Sequence, residues 1–375
     1  MPKGKRNGLL IAGGGLAGSL AALAMAKARP EVPILLVEER DRFGGDHIWS
    51  FLDCELDEEQ RALVEPLISF SWPGHYVAFP DYSRKLRLGT NGIRSDMLDK
   101  AVRETLRPDQ YRLNTRVVAV RETELVLPDG EVIRADGAID ARGAANLSML
   151  ELGWRKFVGR EYSFEQPHRV DMPVLMDATV EQVDGFRFCQ CLPLSETRLL
   201  VEDCCLSDTA NLERDAVRAR IEAYCALRGW KNGTLEREES GVLPIALGDD
   251  VHALWRGGGA RVAKLGLRGG FFHPSTGHAL ADAARTALLL AQQRSFEGDA
   301  LDDLFEADVD MLWRKREYYR AFNAALFGAP ALERRRMMDA FYHLDGDLIA
   351  RFHAGRLGVV DRLKLSGIRG ARPGR

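Results

Sequence analysis

The stretch Gly13-Gly14-Gly15-Leu16-Ala17-Gly18 joins the apolar run Leu9-Leu10-Ile11-Ala12 to the helix-forming run Ser19-Leu20-Ala21-Ala22-Leu23-Ala24. This is a G-x-G-x-x-G spacing set at a strand-to-helix turn. A second apolar run, Ile34-Leu35-Leu36-Val37, ends in Glu38, twenty residues after Gly18. Each part has a mechanical reason. Gly13 makes the tight turn, Gly15 lets the backbone approach a pyrophosphate, and Gly18 lets the helix lie close on the strand. The helix N-terminus offers N–H groups and partial positive charge to the phosphates. An acid closing the second strand accepts hydrogen bonds from ribose hydroxyls. Strand, glycines, helix, strand and acid in register predict an adenine dinucleotide held by Gly13, Gly15, Gly18 and Glu38. Lys3, Lys5 and Arg6 ahead of an uncharged run also resemble a secretory leader. Three consecutive glycines break the apolar core of such a leader, and its cleavage would detach the first strand.

At 375 residues the chain can build more than one lobe around a large core. Hydrophobic residues at 46% and charged residues at 29% mark an ordinary globular protein. A net charge of -3 gives no reason to expect nucleic acid. No apolar stretch is long enough to span a bilayer. The six cysteines form no C-x-x-C pair, which argues against a zinc knuckle or a redox dithiol and for reduced thiols in a cytosolic protein. G-x-S-x-G, P-loop and H-E-x-x-H patterns are absent.

The remaining elements are predicted from periodicity. Arg94 to Leu106 reads as a helix with Ser95 or Asp96 as its cap. Thr115–Val120 and Glu124–Leu127 read as strands, the second entering the Pro128-Asp129-Gly130 turn. Strand-like runs at Glu161–Phe164, Gly185–Cys191 and Arg198–Val201 precede a helix over Leu212–Leu227. Nucleotide-type sequence returns at Ala263-Lys264-Leu265-Gly266, before a helix over Ala279–Gln293. The expected organisation is a first cofactor-binding part (1–153), a substrate lobe (154–241), a second cofactor-binding part (242–295) and a helical, basic tail (296–375). Dinucleotide parts at both ends with a sheet inserted between them favour FAD over NAD. The fold class expected is α/β, a Rossmann-type FAD-binding domain with an inserted antiparallel-sheet lobe and a helical C-terminal region.

Three segments could carry chemistry. Glu202-Asp203 closes the apolar run Leu199-Leu200-Val201. An acid pair there either turns to solvent or ends in an apolar pocket, where burial would raise the pKa of Glu202 and leave a neutral acid able to deliver a proton. Asp203 would then polarise the site or face water. Phe271-Phe272-His273-Pro274-Ser275-Thr276-Gly277 offers N–H groups at a helix start, with Gly277 facing a flavin ring or phosphate, or is an ordinary loop in which Ser275 or Thr276 caps and His273 is a core residue. Gly44-Gly45 permits close backbone approach to a cofactor, and Trp49 and Phe51 offer apolar walls or core packing. From Arg334 to Arg375 there are ten Lys/Arg against four Asp, interleaved with Phe341, Tyr342, Leu344, Leu348, Ile349 and Phe352. That pattern is either an amphipathic helix packed on the body or a surface resting on anionic lipid.

These pieces together resemble the bacterial lycopene β-cyclases, FAD-dependent enzymes of carotenoid synthesis. The matching stretches are Ile11 to Gly18, Gly44 to Phe51, Ile139-Asp140-Ala141-Arg142-Gly143, Leu192 to Ser195 through Leu200-Val201-Glu202-Asp203, Gly269 to Gly277, Phe322 to Phe327 and Leu348 to Leu357. Two departures stand out: Asp46 replaces the usual asparagine after Gly44-Gly45, and His278 replaces the usual tyrosine after Thr276-Gly277. The resemblance implies a flavoprotein active with reduced FAD, with NAD(P)H as reductant. It implies conversion of lycopene to β-carotene through γ-carotene, an isomerisation with no net redox change. Glu202 matches the family's essential acid and Asp203 stands beside it; the cofactor-binding residues expected along the chain are Gly13, Gly15, Gly18, Glu38, Gly45, Gly266 and Gly277. The proton donor stays open between Glu202 and the reduced flavin. A C40 hydrocarbon substrate also implies a cytoplasmic protein peripherally bound to the inner face of the membrane, in contact with other carotenoid enzymes. Flavin monooxygenases, isoprenoid reductases and a non-catalytic carotenoid binder are the alternatives on this fold.

Overall fold

The strand Leu9–Ala12 lies in the middle of a five-stranded, all-parallel sheet, and every one of its residues is buried. Its neighbours are Gly137–Asp140 on one side and Ile34–Val37 on the other, with Ala263–Lys264 and Tyr111–Arg112 at the edges. A parallel sheet needs both faces covered, and its uniformly apolar strands reflect that. The helix Leu16–Ala28 is buried from Ala17 to Met25 and packs against Leu280–Ala291 through alanines of both. The structure is a computed structural model that describes residues 8–144, 147–248, 250–257 and 261–369. Lys3, Lys5, Arg6, Arg372, Arg375 and the Arg369 side chain lie outside these.

A seven-stranded sheet forms the second layer, in the order Thr234–Ala246, Leu152–Ser163, Arg198–Ser207, Phe186–Pro193, Val174–Asp177, His75–Phe79 and Tyr82–Leu86. All pairs are antiparallel except Val174–Asp177 with His75–Phe79. Its strands therefore extend past the expected lobe of 154–241 at both ends and recruit a hairpin from 75–86, because a sheet edge pairs with any backbone of suitable register. One face carries Val158, Tyr162, Leu199 and Val201 against the helix Arg214–Leu227. The other face looks toward the parallel sheet and the tail.

Two local expectations shift. The run Thr115–Val120 forms a strand only over Ala119–Arg121, in a small sheet with Glu124–Val126 and Val132–Arg134. The helix at Ser95–Thr105 starts without a side-chain cap, and the Ser95 hydroxyl instead accepts a hydrogen bond from Arg237 at 2.6 Å.

The expected tail opens with the helix Gly298–Lys315, whose Leu301, Phe305 and Val309 join the core of the parallel sheet, and continues as the helices Glu317–Phe327, Ala331–Tyr342, Gly346–His353 and Val359–Arg369. Phe341, Tyr342, Leu348, Ile349 and Phe352 are buried in one cluster with Phe79, Phe186, Phe188 and Leu206 of the large sheet. The aromatic stripe expected at the lipid surface is thus core. Arg334 is buried as well, donating to the carbonyls of Ala329 (2.8 Å) and Phe327 (2.5 Å) and to Asp208 (2.8 Å). Part of the basic count of the tail is spent on internal carbonyls and carboxylates rather than on a surface.

Candidate active site

A cavity of about 640 Å³ runs from the glycine turn of the parallel sheet to the inner face of the large sheet. That volume suits a large bound molecule. At one end Gly13 has φ +101°, and a Cβ there would lie 2.6 Å from the Ala141 carbonyl oxygen. A Cβ on Gly18 would run into the Gly13 carbonyl, so the helix rests directly on the turn. Gly15 is the opposite case: nothing lies within 4 Å of its Cβ position, and the residue lines the cavity. The helix Leu16–Ala28 starts there with no side-chain cap and no acid in its first turn. Free space, uncapped N–H groups and a helix N-terminus make a cradle for an anion. Glu38 accepts from the N–H groups of Gly14 (2.6 Å) and Arg40 (3.0 Å), so it braces the turn while lining the cavity. Gly45, Gly266 and Gly277, all with positive φ, also line it: a Cβ on Gly266 would meet Ala17 at 2.9 Å near the glycine turn, and one on Gly277 would meet Leu243 of the large sheet at 2.8 Å at the far end.

Glu202 closes that far end. In the sheet register Gly159 stands opposite Glu202 on one neighbouring strand and Glu239 on the other, which puts both acids in one row over a residue without a side chain. A Cβ on Gly159 would sit 3.0 Å from Glu202 Cγ and 3.2 Å from Glu239 Cγ. Both carboxyls are buried and both line the cavity. Burial first, then the charge of Glu239, pushes the pKa of Glu202 up to about 8, while the Arg155 guanidinium opposes the shift. Glu202 therefore keeps its proton to a higher pH than an exposed carboxyl does. Glu239 Oε2 accepts from the Ile48 N–H at 3.1 Å and lies 3.2 Å from His47 Nδ1.

Asp203 does not join them. Adjacent residues of a strand point to opposite faces, and Asp203 faces away from the cavity, held by Arg187 at 2.7 Å and Arg220 at 3.2 Å. The expectation that it shares the site or faces water is corrected to a buried ion pair behind the sheet. Asp203→Ala should lower stability by about 3–5 kcal/mol through the stranded Arg187 charge. A urea midpoint measures that loss, and an unchanged midpoint would refute the assignment.

A second, apolar chamber opens off the first through shared walls at Ser50, Arg155 and His278. Its lining includes Phe51, Phe188 and Leu206 on the sheet side and Phe322, Phe341 and Phe352 of the tail. Arg155 donates to His278 Nε2 at 2.7 Å and to Gln190 Oε1 at 3.3 Å. Burial drives the His278 pKa well down, so the ring is neutral with its proton on Nδ1. Asn323 Nδ2 donates to the carbonyls of Ala246 (2.8 Å) and Pro274 (2.9 Å). His273 is a core histidine: its Nε2 bonds the Phe352 carbonyl at 3.0 Å, and its Nδ1 accepts the Ser275 N–H at 3.3 Å. Sequence reasoning missed Gly159, Arg155 and Glu239, which no local motif marks.

A buried carboxylic acid with a raised pKa, lining an anion-cradling cavity that shares walls with an apolar chamber, can protonate an apolar substrate away from water. A lycopene beta-cyclase of Pantoea ananas is 38% identical over 358 residues, covering 95% of this chain and 93% of its own. One of Pseudescherichia vulneris is 36% identical over 358 residues, covering 95% and 92%. Among solved structures, the halogenase PltM (L111Y mutant) in complex with FAD superposes with a TM-score of 0.62 at 13% identity, over 98% of this chain and 87% of that one. It shares the fold of an FAD-binding flavoprotein. The family model described as "Lycopene cyclase protein" matches residues 8–373. The chain belongs to the lycopene cyclase family.

Proposed function

We infer that the protein is a lycopene β-cyclase, closing the ψ ends of lycopene to give β-carotene through γ-carotene. The single observation that carries the mechanism is Glu202, a buried carboxyl with a raised pKa that lines the larger cavity and stands in register with Gln190 of the apolar chamber's wall. The residues fit FAD: Gly15 and the uncapped helix start would hold the pyrophosphate, Glu38 would meet the ribose, and Gly45, Gly266 and Gly277 would lie beside the rest of the cofactor. Reduced FAD, kept so by NAD(P)H, supplies an electron-rich ring beside the developing cation when bound. Glu202 delivers its proton to C2 of the ψ end. The C5=C6 bond attacks the cation at C1, closing the ring, and the C6 proton returns to the carboxylate. Atoms and electrons balance without net redox change. The aromatic chamber walls exclude the water that would trap the cation.

The test is anaerobic incubation with lycopene, FAD and NADPH, followed by pigment chromatography. β-Carotene should form with γ-carotene as a transient, and reductant use should be far below stoichiometric. Oxygenated or reduced pigments, or NADPH consumed mole for mole, would favour a monooxygenase or reductase instead. Unchanged lycopene would favour a carotenoid binder.

A membrane-borne substrate also requires a docking face, and we place it at the start of the helix Val359–Arg369. Val359, Val360 and Leu363 are 73%, 65% and 70% exposed, next to the exposed Arg356 and Lys364. Apolar tips ringed by cations suit an anionic lipid interface. No helix among the described residues is long and apolar enough to cross a membrane. Replacing Val359, Val360 and Leu363 by Ser should lower sedimentation with anionic vesicles about tenfold while leaving neutral-detergent activity in place. Undiminished sedimentation would refute the assignment.

A further inference from the structure

Glu239 shares a buried row with Glu202 yet has no part in the reaction described so far. Three observations constrain what it does. The cross-strand register sets the two carboxyls on either side of Gly159, so no side chain separates them. Glu239 Oε2 is occupied by the Ile48 N–H and His47, whereas Oε1 is buried with no hydrogen-bond partner. On the other acid, the thiol of Cys204 stands 4.0 Å from Glu202 Oε2, a contact too long to anchor an anion.

We propose that Glu202 and Glu239 hold one proton between them, with Glu239 the anionic acceptor that keeps Glu202 protonated. The asymmetry follows from the donors. A carboxylate that accepts a backbone N–H is stabilised as the anion, and Glu239 has that donor while Glu202 has none. A protonated Glu202 in turn fills the orphaned Oε1. The other groups around the pair are Arg155 from the strand between them, which favours ionisation of Glu202, the uncharged Gln190 opposite Glu202 on its other neighbouring strand, Cys204 on the strand of Glu202, and His47 just before the strand Ile48–Leu52. His278 faces Arg155 and is neutral.

This rests on Glu202 as the acid and adds the return step. Once Glu202 has given its proton to C2, two carboxylates lie side by side in a dry site. Their repulsion raises the proton affinity of the pair. The pair then takes the C6 proton, which restores the starting state. Glu239 is a positioning residue: it acts through Glu202.

The experiment is the pH–rate profile of the full-length Glu239→Gln enzyme with FAD content matched to wild type. Wild-type activity should fall as pH rises through about 8, because the active form is protonated Glu202. In Glu239→Gln the repelling charge is gone and the amide donates to a Glu202 carboxylate. The falling limb should move down by about one unit, so the pH 8 to pH 6 activity ratio drops about fivefold. Gly159→Ala, which wedges the two carboxyls apart, should move it in the same direction. Infrared difference spectra against Glu202→Gln should show a protonated carboxyl in wild type at pH 7 that titrates at lower pH in Glu239→Gln. An inactive Glu202→Gln together with an unmoved limb and carboxyl band in both other variants would overturn the pair alone. An active Glu202→Gln would overturn the acid assignment and the pair with it.

Discussion

Glu202→Gln should lower the rate of ring closure by at least about 100-fold, within the range a positioned proton donor contributes, while FAD content and melting temperature stay at wild-type values. The amide matches the carboxyl in shape but has no acidic proton to deliver. It also fits the site: its NH₂ can donate to the orphaned Glu239 Oε1, so the swap leaves no new unsatisfied group. Loss of rate without loss of cofactor separates a chemical role from a structural one. The measurement is kcat with lycopene in detergent, alongside the flavin absorbance of the purified enzyme. Full activity with normal FAD would remove Glu202 from the mechanism.

The two inner glycines of the fingerprint should fail in opposite ways. Gly18→Val drives a side chain into the Gly13 carbonyl and lifts the helix off the strand. The loss should be about 4 kcal/mol or more, an overpacking defect in the centre of the core, and the protein should be recovered largely insoluble. Gly15→Val points into open cavity, so the apoprotein should keep its melting temperature. Its cost falls on the ligand. Two hydrogen bonds to phosphate at ~1.5 kcal/mol each correspond to about a 100-fold weaker FAD affinity. Thermal melts of both apoproteins and FAD titration of Gly15→Val test the contrast. An unstable Gly15→Val apoprotein, or FAD bound by it with wild-type affinity, would contradict the anion cradle.

The nucleotide end of the molecule was legible because its physics is local. Turn, close approach and helix packing each demand glycine at a fixed spacing; the structure has Gly13 in the turn and Gly18 under the helix, and leaves Gly15 open to the cavity. The alternation of strand residues also separates Glu202 from Asp203, a distinction available from a period of two and overlooked in pairing them. Glu239 was not legible. It is brought to Glu202 by a register between strands almost forty residues apart in sequence, across a glycine whose role exists only in the folded sheet. The tail misled for another reason. Composition records how many cations and aromatics a segment has, not which way each helix is turned. Phe341 and Phe352 proved to be chamber wall, and Arg334 a clamp on the carbonyl of Phe327.

One amide ties these regions together. Asn323, on a tail helix, holds both the last residue of the strand Thr234–Ala246 and the Pro274 carbonyl in the turn that leads to Gly277. The wall of the apolar chamber and the turn proposed to seat the flavin ring are therefore fastened at a common point. Descendants of this sequence cannot widen the chamber by shifting that helix without also disturbing the ring seat. Change in the polyenes accepted must come from exchanging individual wall side chains, while the solvent-facing side of the same helices is free to drift.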